Sequence, residues 1–287
     1  LDRRITQNGL RALVISNPIN VIVSSLFQVS FLEYAAWMLL PAVVSILTSY
    51  YGLLWFFRGA IPARYQCPDS RARLRRDPLS MWICAALLLL TLAGFFTSNV
   101  TGIPTWAVAL AGALGLALLC GARSPASLVG ILRGVGWDVI VFVIGIFIVA
   151  YGLRAAGLTH QIGRLIEGLA GQGLFALSGA TAMVTAFCSA LMNNHPTANI
   201  MAMTIEDFGR PLAESRMLAF SALIGGDLGP KMLPIGSLAA LLWFRLLRDR
   251  GVDVPYWLYI RIGVPVTLAA ILLSTLTLNL EYRFWAR

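Results

Sequence analysis

The sequence has few charged residues, and this scarcity limits what kind of protein it can be. Only 12% of the 287 residues are Asp, Glu, Lys or Arg, whereas soluble domains contain about 25%. Hydrophobic residues make up 58% of the chain, which is more apolar surface than a core of this size can hide from water. The composition excludes an ordinary soluble domain. It predicts an all-α polytopic membrane protein whose apolar excess faces the lipid bilayer.

Cysteine and lysine are also scarce. The four cysteines are scattered without a CxxC pair, so we expect neither a metal site nor a disulfide framework. No nucleophile–base pair is evident from the spacing of the polar residues, which argues against an intramembrane enzyme, and no cofactor is expected.

The net charge of +9 comes mainly from arginines in short loops between apolar runs. That is the positive-inside pattern of membrane proteins, and no nucleic-acid partner is expected.

The sequence does contain a series of apolar runs of membrane length. A helix of about 20 apolar residues spans a hydrocarbon core of about 30 Å. The predicted spans are Phe31–Phe57, Leu79–Phe96, Thr105–Cys120, Trp137–Leu153 and Trp257–Leu280. The loop at 58–78 carries six arginines and is predicted to be cytoplasmic, which places the short turn TSNVTGIP on the outer side.

Three segments between the spans do not fit simple crossing helices. Residues 154–173 have apolar positions at helical spacing and charges on the other face, which predicts an amphipathic helix along the membrane interface. In 174–205, two short apolar arms flank the polar motif NNHPTAN, which predicts a re-entrant hairpin entered from the outer side. In 215–247, the short helices 215–224 and 235–247 flank GGDLGPKMLPIGS, which predicts a broken helix.

The same order of a break, a short helix and a span occurs twice in the sequence, and the two spans are predicted to cross the membrane in opposite directions. ISNPINVIVSSLF, a proline-containing break with a short apolar helix, precedes the span Phe31–Phe57, and KMLPIGSLAALLWF precedes Trp257–Leu280. This pattern predicts an inverted-topology repeat. Residues 1–57 would then end the first repeat, 58–78 would connect the repeats, and 79–287 would form the second. The symmetry predicts that a first hairpin, and so the N-terminal half of the protein, lies upstream of this chain.

Neutral polar side chains cluster at the predicted hairpin tip: Asn193, Asn194 and Thr197. Polar groups at membrane depth are costly unless they are hydrogen-bonded or line a water-filled site. We interpret the tip as a substrate-binding element, and the alternative is a polar loop at the membrane surface. His195 lies in the same motif and is a minor candidate. Cys188, about one turn earlier, is expected to be a small packing residue.

An acid and the single lysine of the chain, Asp227 and Lys231, lie in the predicted break. An ionisable residue at membrane depth indicates function, so we hypothesise that Asp227 carries a proton and that Lys231 tunes it. The alternative is an ion pair that braces a broken helix. Ser237 adds a hydroxyl to this candidate site. The corresponding break in the first repeat, ISNPIN, contributes three further candidates: Ser16, Asn17 and Asn20.

Three motifs, YGLRAAGLT, MNNHPTA and GGDLGPKMLPIGSLAALLW, resemble the ArsB-type arsenite efflux permeases of the ion transporter superfamily. The similarity is densest over Trp137–Leu242. The resemblance implies two inverted repeats, each with a re-entrant hairpin and a broken helix around a central site. It also implies a multi-pass protein of the cell inner membrane that exports arsenite and antimonite, driven by proton antiport or by an arsenite-stimulated ATPase partner. Such permeases have further spans upstream, and ISNPIN fits the broader superfamily equally well.

The resemblance gives the candidate residues a chemical role. Arsenite near neutral pH is mostly an uncharged trihydroxy acid, which suits the amides and hydroxyls of the tip and the breaks. On this hypothesis Asp227 exchanges a proton as the site alternates between the two membrane faces. Two alternatives are a sodium-coupled carboxylate transporter of the same superfamily and a truncated membrane protein that does not transport.

Overall fold

The computed structural model describes residues 17–59, 78–123, 130, 133–134, 137–170 and 173–285. The regular structure in these ranges is helical, which confirms the all-α class. The helices are α1 (Pro18–Leu26), α2 (Phe31–Phe57), α3 (Pro78–Thr101), α4 (Thr105–Arg123), α5 (Trp137–Ala155), α6 (Leu158–Ala170), α7 (Leu174–Met192), α8 (Asn194–Asp207), α9 (Leu212–Leu228), α10 (Leu238–Arg248) and α11 (Tyr256–Trp285). Two 3-10 turns, Gly229–Lys231 and Pro234–Gly236, lie between α9 and α10.

Several helices have the length and composition of membrane spans. Within the described residues, four are long and apolar enough to cross a membrane: Phe31–Phe57, Met81–Ser98, Leu174–Met192 and Tyr256–Phe284. The expectation of a multi-pass membrane protein is therefore confirmed. One of the four is a surprise, because the sequence predicted α7 as a short arm of a hairpin. With 19 residues it is long enough by itself to cross the membrane.

The helices α3 and α4 belong to a compact unit formed by the described residues between 60 and 141. Here α3 continues to Thr101, so most of the predicted outer turn is helical. The extension has a local cause, because hydroxyls in this segment bond to carbonyls about one turn earlier. Thr97 donates to Ala93 O at 3.0 Å, and Ser98 donates to Phe95 O at 2.8 Å. Such bonds give polar side chains a partner within the helix.

The other compact unit contains the described residues up to 59 and from 142 onward. Its two longest helices, α2 and α11, pack along each other. Ser274 Oγ donates to Pro41 O at 3.0 Å, and Gly52 lies against Val266. The residue numbers rise along α2 as they fall along α11, so the two helices are antiparallel. Pro41 lies inside α2 without dividing it into two helices.

The order of elements around these two helices follows the predicted repeat. The nine-residue helix α1 precedes α2, and the eleven-residue helix α10 precedes α11. Both short helices begin at a polar N-cap residue, Asn17 or Ser237. Because α2 and α11 run in opposite directions, the arrangement is the one that an inverted repeat predicts. The final helix extends from Tyr256 to Trp285, beyond the predicted span at both ends.

Candidate functional site

The predicted hairpin tip is a tight junction between two helices. A single residue, Asn193, separates α7 from α8, and its backbone φ of 79° is in the left-handed region. Its side-chain Oδ1 accepts the backbone N–H of Asn194 at 2.6 Å, and its carbonyl accepts the hydroxyl of Thr197 at 2.8 Å. Asparagine tolerates positive φ better than most residues. The junction therefore brings the three tip candidates together through local hydrogen bonds.

The sequence was wrong about the extent of the polar tip. It predicted an open stretch over NNHPTAN, but α8 begins at Asn194 and includes the rest of that motif. Pro196 does not prevent this, because the first turn of a helix needs no backbone N–H from proline. Thr197 is fully buried and Asn199 is 5% exposed. Thr197 and Asn199 thus lie on the first turns of a helix inside the protein, while Asn193, Asn194 and His195 are half-buried, and this arrangement argues against a surface loop.

The far end of the hairpin is held by charged groups. Arg154, near the end of α5, contacts Glu206 at 3.2 Å and Asp207 at 2.5 Å. The hydroxyl of Thr159 donates to the other oxygen of Asp207 at 2.9 Å. The amphipathic helix α6 also packs against both α7 and α8. One helix therefore contacts both arms of the hairpin.

Asp227 lies in the last turn of α9 and is 5% exposed. The sequence prediction placed it in an unwound stretch, and that prediction was wrong because α9 continues to Leu228. Gly225 and Gly226 are helical, and the break begins at Gly229. A carboxylate near a helix C-terminus is disfavoured by the helix dipole. Asp227 therefore needs favourable contacts from elsewhere in the fold.

The glycines near Asp227 allow α9 to lie directly against α7. A methyl group on Gly225 would overlap the main chain at Ala182, and one on Gly229 would overlap it at Ala186. The side chain of Ser189 on α7 donates to the carbonyl of Gly226 at 2.7 Å. This bond satisfies a carbonyl near the end of α9, where intrahelical partners run out. The hairpin arm and the Asp227 helix are thus joined by close main-chain packing and a buried hydrogen bond.

Asp227 accepts a hydrogen bond from Asn17, the N-cap residue of α1. The side-chain Nδ2 of Asn17 donates to Asp227 Oδ1 at 2.8 Å, across 210 residues of sequence. The side-chain Oδ1 of Asn17 accepts the backbone N–H of Ile19 at 3.4 Å, as the N-cap of α1. Asp227 therefore lies at the N-terminus of α1, where the helix dipole favours negative charge. This placement offsets the unfavourable end of its own helix.

A small crevice lies on another side of Asp227. Its volume is about 20 Å³, and its walls include the hydroxyl residues Ser45 and Ser274. Ser45 is 4% exposed, and its hydroxyl has no hydrogen-bond partner among the described residues. Apart from Asp227 itself, the rest of the wall is apolar, and a space of this size is about that needed by one water molecule. The acid is thus bordered by an amide on one side and by a mainly apolar crevice with two hydroxyl residues on another.

The remaining candidates belong to several elements. Asn20 is fully buried on α1, and α1 packs against the hairpin arm α8. His195 is half-buried and lies within electrostatic range of Asp227. Lys231 is half-buried in the first 3-10 turn, and its proposed tuning of the acid stays a prediction. Ser237 makes a local bond, because its Oγ accepts the backbone N–H of Ala240 at 3.4 Å. Ser16 lies outside the described residues.

Two residues near the site were missed from the sequence. Ser189 looks like one more small residue of an apolar helix, and Arg216 like one more basic residue near a loop. The spacing of Ala182, Ala186 and Ala190 gives a signal for the first, because a four-residue repeat of small residues marks a close helix contact. A basic residue in the second turn of a mainly apolar helix, whose other charged residues are Glu214 and Asp227, gives a signal for the second.

Comparison with known proteins extends the resemblance from motifs to the whole chain. The sequence profile of the family described as ArsB, arsenical pump membrane protein, matches residues 4–282. The arsenical pump membrane protein of Escherichia coli strain K12 is 34% identical over 274 residues, which are 95% of this chain and 64% of that protein. The protein of the same description from Yersinia enterocolitica is 34% identical over 272 residues, 94% of this chain and 63% of that protein.

A more distant relative has the same kind of description. The putative arsenical pump membrane protein of Bacillus subtilis strain 168 is 23% identical over 275 residues, 88% of this chain and 62% of that protein. This chain therefore spans less than two thirds of the length of these curated relatives. The profile nevertheless covers nearly all of the chain, including both breaks and the hairpin. The chain belongs to the ArsB family of arsenical pump membrane proteins.

Proposed function

We propose that this chain is part of a permease that exports arsenite, and also antimonite, across the cell inner membrane in exchange for protons. The observation that carries the proposal is the hydrogen bond from Asn17 to Asp227. It joins the N-cap of α1 to the last turn of α9, next to the break that begins at Gly229, and breaks of this kind are where transporters of this architecture bind substrate. The descriptions of the relatives support an arsenical cargo.

The polar groups around the junction suit a small neutral oxyacid. Trihydroxy arsenite and its antimony analogue can both donate and accept hydrogen bonds through their hydroxyls. The substrate-binding groups that we propose are neutral amides and hydroxyls: Asn193, Asn194, Thr197, Ser16, Asn17, Asn20 and Ser237. A neutral ligand avoids the cost of bringing an uncompensated charge to membrane depth. Three-thiolate binding would require a cysteine cluster, and no group of three potential metal-ligating residues occurs in the described part of the chain.

Asp227 supplies the coupling step that we propose. A substrate hydroxyl can donate to a carboxylate oxygen, and a proton occupies an oxygen of the same group. The proton and the substrate therefore compete for Asp227, which is the mutual exclusion that antiport requires. Protonation also removes the anionic acceptor of the Asn17 amide, so it loosens the link between the two breaks. Lys231 would tune this exchange by its positive charge.

The proposal is tested by arsenite uptake into everted membrane vesicles that contain the full-length protein. We expect an inside-acid proton gradient to drive uptake, and Asp227→Asn to reduce the gradient-driven rate by roughly tenfold or more, the scale of losing a proton-transfer group. Asp253→Asn is the matched control, because Asp253 is 85% exposed and lies 4.0 Å from Arg248. This exposed change should leave uptake intact.

Separate arms of the experiment identify the energy source. Uptake driven by ATP without a proton gradient would show an ATPase partner, and sodium-driven uptake of a carboxylate would support the alternative transporter class. Unchanged proton-driven arsenite uptake in the Asp227→Asn variant would contradict the role of this carboxylate.

A further inference from the structure

Arg216 makes three hydrogen bonds to the turn that joins α1 to α2. Its Nε donates to Phe27 O at 3.0 Å, and its two terminal nitrogens donate to Gln28 O at 2.7 Å and to Glu33 at 2.8 Å. All three acceptors lie in one short segment, although Arg216 is on α9, more than 180 residues away. A planar guanidinium holds several acceptors in fixed directions, which a flexible lysine cannot do.

The turn that Arg216 holds is strained. Gln28 has a backbone φ of 53°, in the left-handed region. The backbone N–H of Val29 bonds to Ser24 O at 2.7 Å, and that of Gln28 bonds to Ser25 O at 3.3 Å. This is the Schellman ending of a helix, in which glycine is the usual residue at the position that Gln28 occupies. The guanidinium bonds to the carbonyls of this turn and so stabilises a conformation that glutamine adopts at some cost.

The contacts at the two ends of α1 have a simple geometric relation. At its N-terminus, Asn17 bonds to Asp227 near the end of α9. At its C-terminus, Phe27 and Gln28 bond to Arg216 near the start of α9. The two contacts are about 15 Å apart along the axis of each helix, at a rise of 1.5 Å per residue. The helix α1 is therefore fastened to one helix at both ends, in antiparallel orientation.

We propose that Arg216 is a positioning residue that holds Asn17 in hydrogen-bonding register with Asp227. This inference rests on the proposed function of that pair in transport. The nine-residue helix α1 packs one face against α8, and its contacts with Asp227 and Arg216 set its register along α9. Aromatic packing between α9 and the start of α2 supports this attachment. The ring centroid of Phe220, one turn beyond Arg216, lies 5.9 Å from that of Tyr34 and 6.3 Å from that of Trp37. Arg216 thus acts on the site through α1 without touching the substrate.

Arg210 offers a matched control. It also forms an ion pair near the start of α9, with Glu214 at 3.0 Å, and its side chain is 28% exposed against 26% for Arg216. Its partner, however, is four residues away in the same chain segment. Loss of this local pair should not move α1, because neither Arg210 nor Glu214 bonds to the turn between α1 and α2 in the described residues.

The first experiment measures the position of α1 without relying on transport. Spin labels are attached at Val21→Cys on α1 and Phe187→Cys on α7, both exposed positions, in a full-length protein whose other cysteines are replaced. Arg216→Ala should broaden or shift the distance distribution, and Arg210→Ala should leave it unchanged. A distribution in Arg216→Ala that matches the parent would overturn the proposal.

The second experiment asks whether Arg216 acts through Asn17. Arg216→Ala should raise the arsenite concentration for half-maximal uptake by roughly tenfold, and Arg216→Lys should have a smaller effect. Sites about 15 Å apart normally give additive losses. In an Asn17→Ala background we instead expect Arg216→Ala to have little further effect. Full additivity would contradict the positioning role.

The two experiments separate this inference from the proposed function. If Asp227→Asn transported normally, the proposed coupling would fail, but the spin-label distances would still test the attachment of α1. Gln28→Gly provides a rescue test, because glycine removes the cost of the left-handed turn. It should restore part of the uptake lost in Arg216→Ala, and the absence of any recovery would contradict the role of this turn.

Discussion

At the scale of single residues, the candidate site depends on one amide that serves two elements. Asn17 caps α1 through its oxygen and bonds to Asp227 through its nitrogen. The sequence indicated both residues, because a polar group in apolar surroundings costs free energy unless it has a hydrogen-bond partner. It could not indicate the bond between them, because they are 210 residues apart and only the packing of whole helices brings them together.

This bond can be tested by exchanging its two residues. Asn17→Asp should lower the free energy of unfolding by about 1–3 kcal/mol, because it removes a donor and places two carboxylates in contact. The double variant Asn17→Asp/Asp227→Asn restores one amide and one carboxylate with the donor reversed, so it should recover most of that loss. Thermal unfolding in detergent measures both, and each kcal/mol corresponds to about 2–4 °C for a chain of this size class.

A helix-capping effect would give a different pattern in the same measurement. Aspartate is as good an N-cap as asparagine, so the loss in Asn17→Asp cannot come from the cap. Asn17→Ser also keeps a capping oxygen, but its side chain is shorter and lacks the amide donor. If Asn17→Ser were as stable as the parent, the bond to Asp227 would contribute little.

At the scale of elements, the glycines around Asp227 have a different role from the one their sequence suggests. Glycine and proline together predict a break, and the chain does break at Gly229 and Pro234. Gly225 and Gly226, in contrast, are helical. The sequence therefore predicted the existence of a broken helix but misplaced its start. Glycine that breaks a helix and glycine that lets two helices touch look the same until the neighbouring helix is known.

Two adjacent glycines separate these roles experimentally. Gly225→Ala should destabilise the protein by about 1–3 kcal/mol or more, because the added methyl overlaps the main chain of α7. Gly226→Ala places its methyl 3.6 Å from a side-chain carbon of Thr185, which is ordinary contact. Alanine also favours a helix over glycine by about 1 kcal/mol, so Gly226→Ala should be neutral or stabilising.

Gly225→Ala should lower both the thermal stability of the protein and its rate of arsenite uptake. The close contact positions the last turn of α9, which carries Asp227, against the hairpin arm that carries Ser189. Equal stability of the two alanine variants would show that α7 and α9 are not held at main-chain distance.

At the scale of the whole molecule, the sequence predicted the class and the order of parts better than their ends. Apolar length predicted three of the four described helices that are long and apolar enough to cross, because lipid demands about 20 apolar residues per crossing. The predicted spans Thr105–Cys120 and Trp137–Leu153 correspond to shorter apolar helices, Thr105–Leu119 and Ile144–Ala155. The ends were less predictable, since hydroxyls such as that of Ser98 extend a helix with bonds that apolar counting ignores. The antiparallel packing of α2 and α11 agrees with the inverted repeat. Membrane orientation rests on a separate argument, the distribution of arginine.

The membrane orientation can be tested by labelling cysteines from either side. The six arginines of residues 58–78 should keep this loop in the cytoplasm, because basic loops are retained on that side. Cys67, within the loop, should react with a membrane-impermeant maleimide in everted vesicles and not in intact cells, once the other cysteines are replaced. Ile103→Cys, 48% exposed in the parent between α3 and α4, should show the opposite pattern. Since one span separates the two positions, labelling of both from the same side would contradict the assigned crossing of α3. If Cys67 reacted only in intact cells and Ile103→Cys only in everted vesicles, the topology would be the reverse of the predicted one.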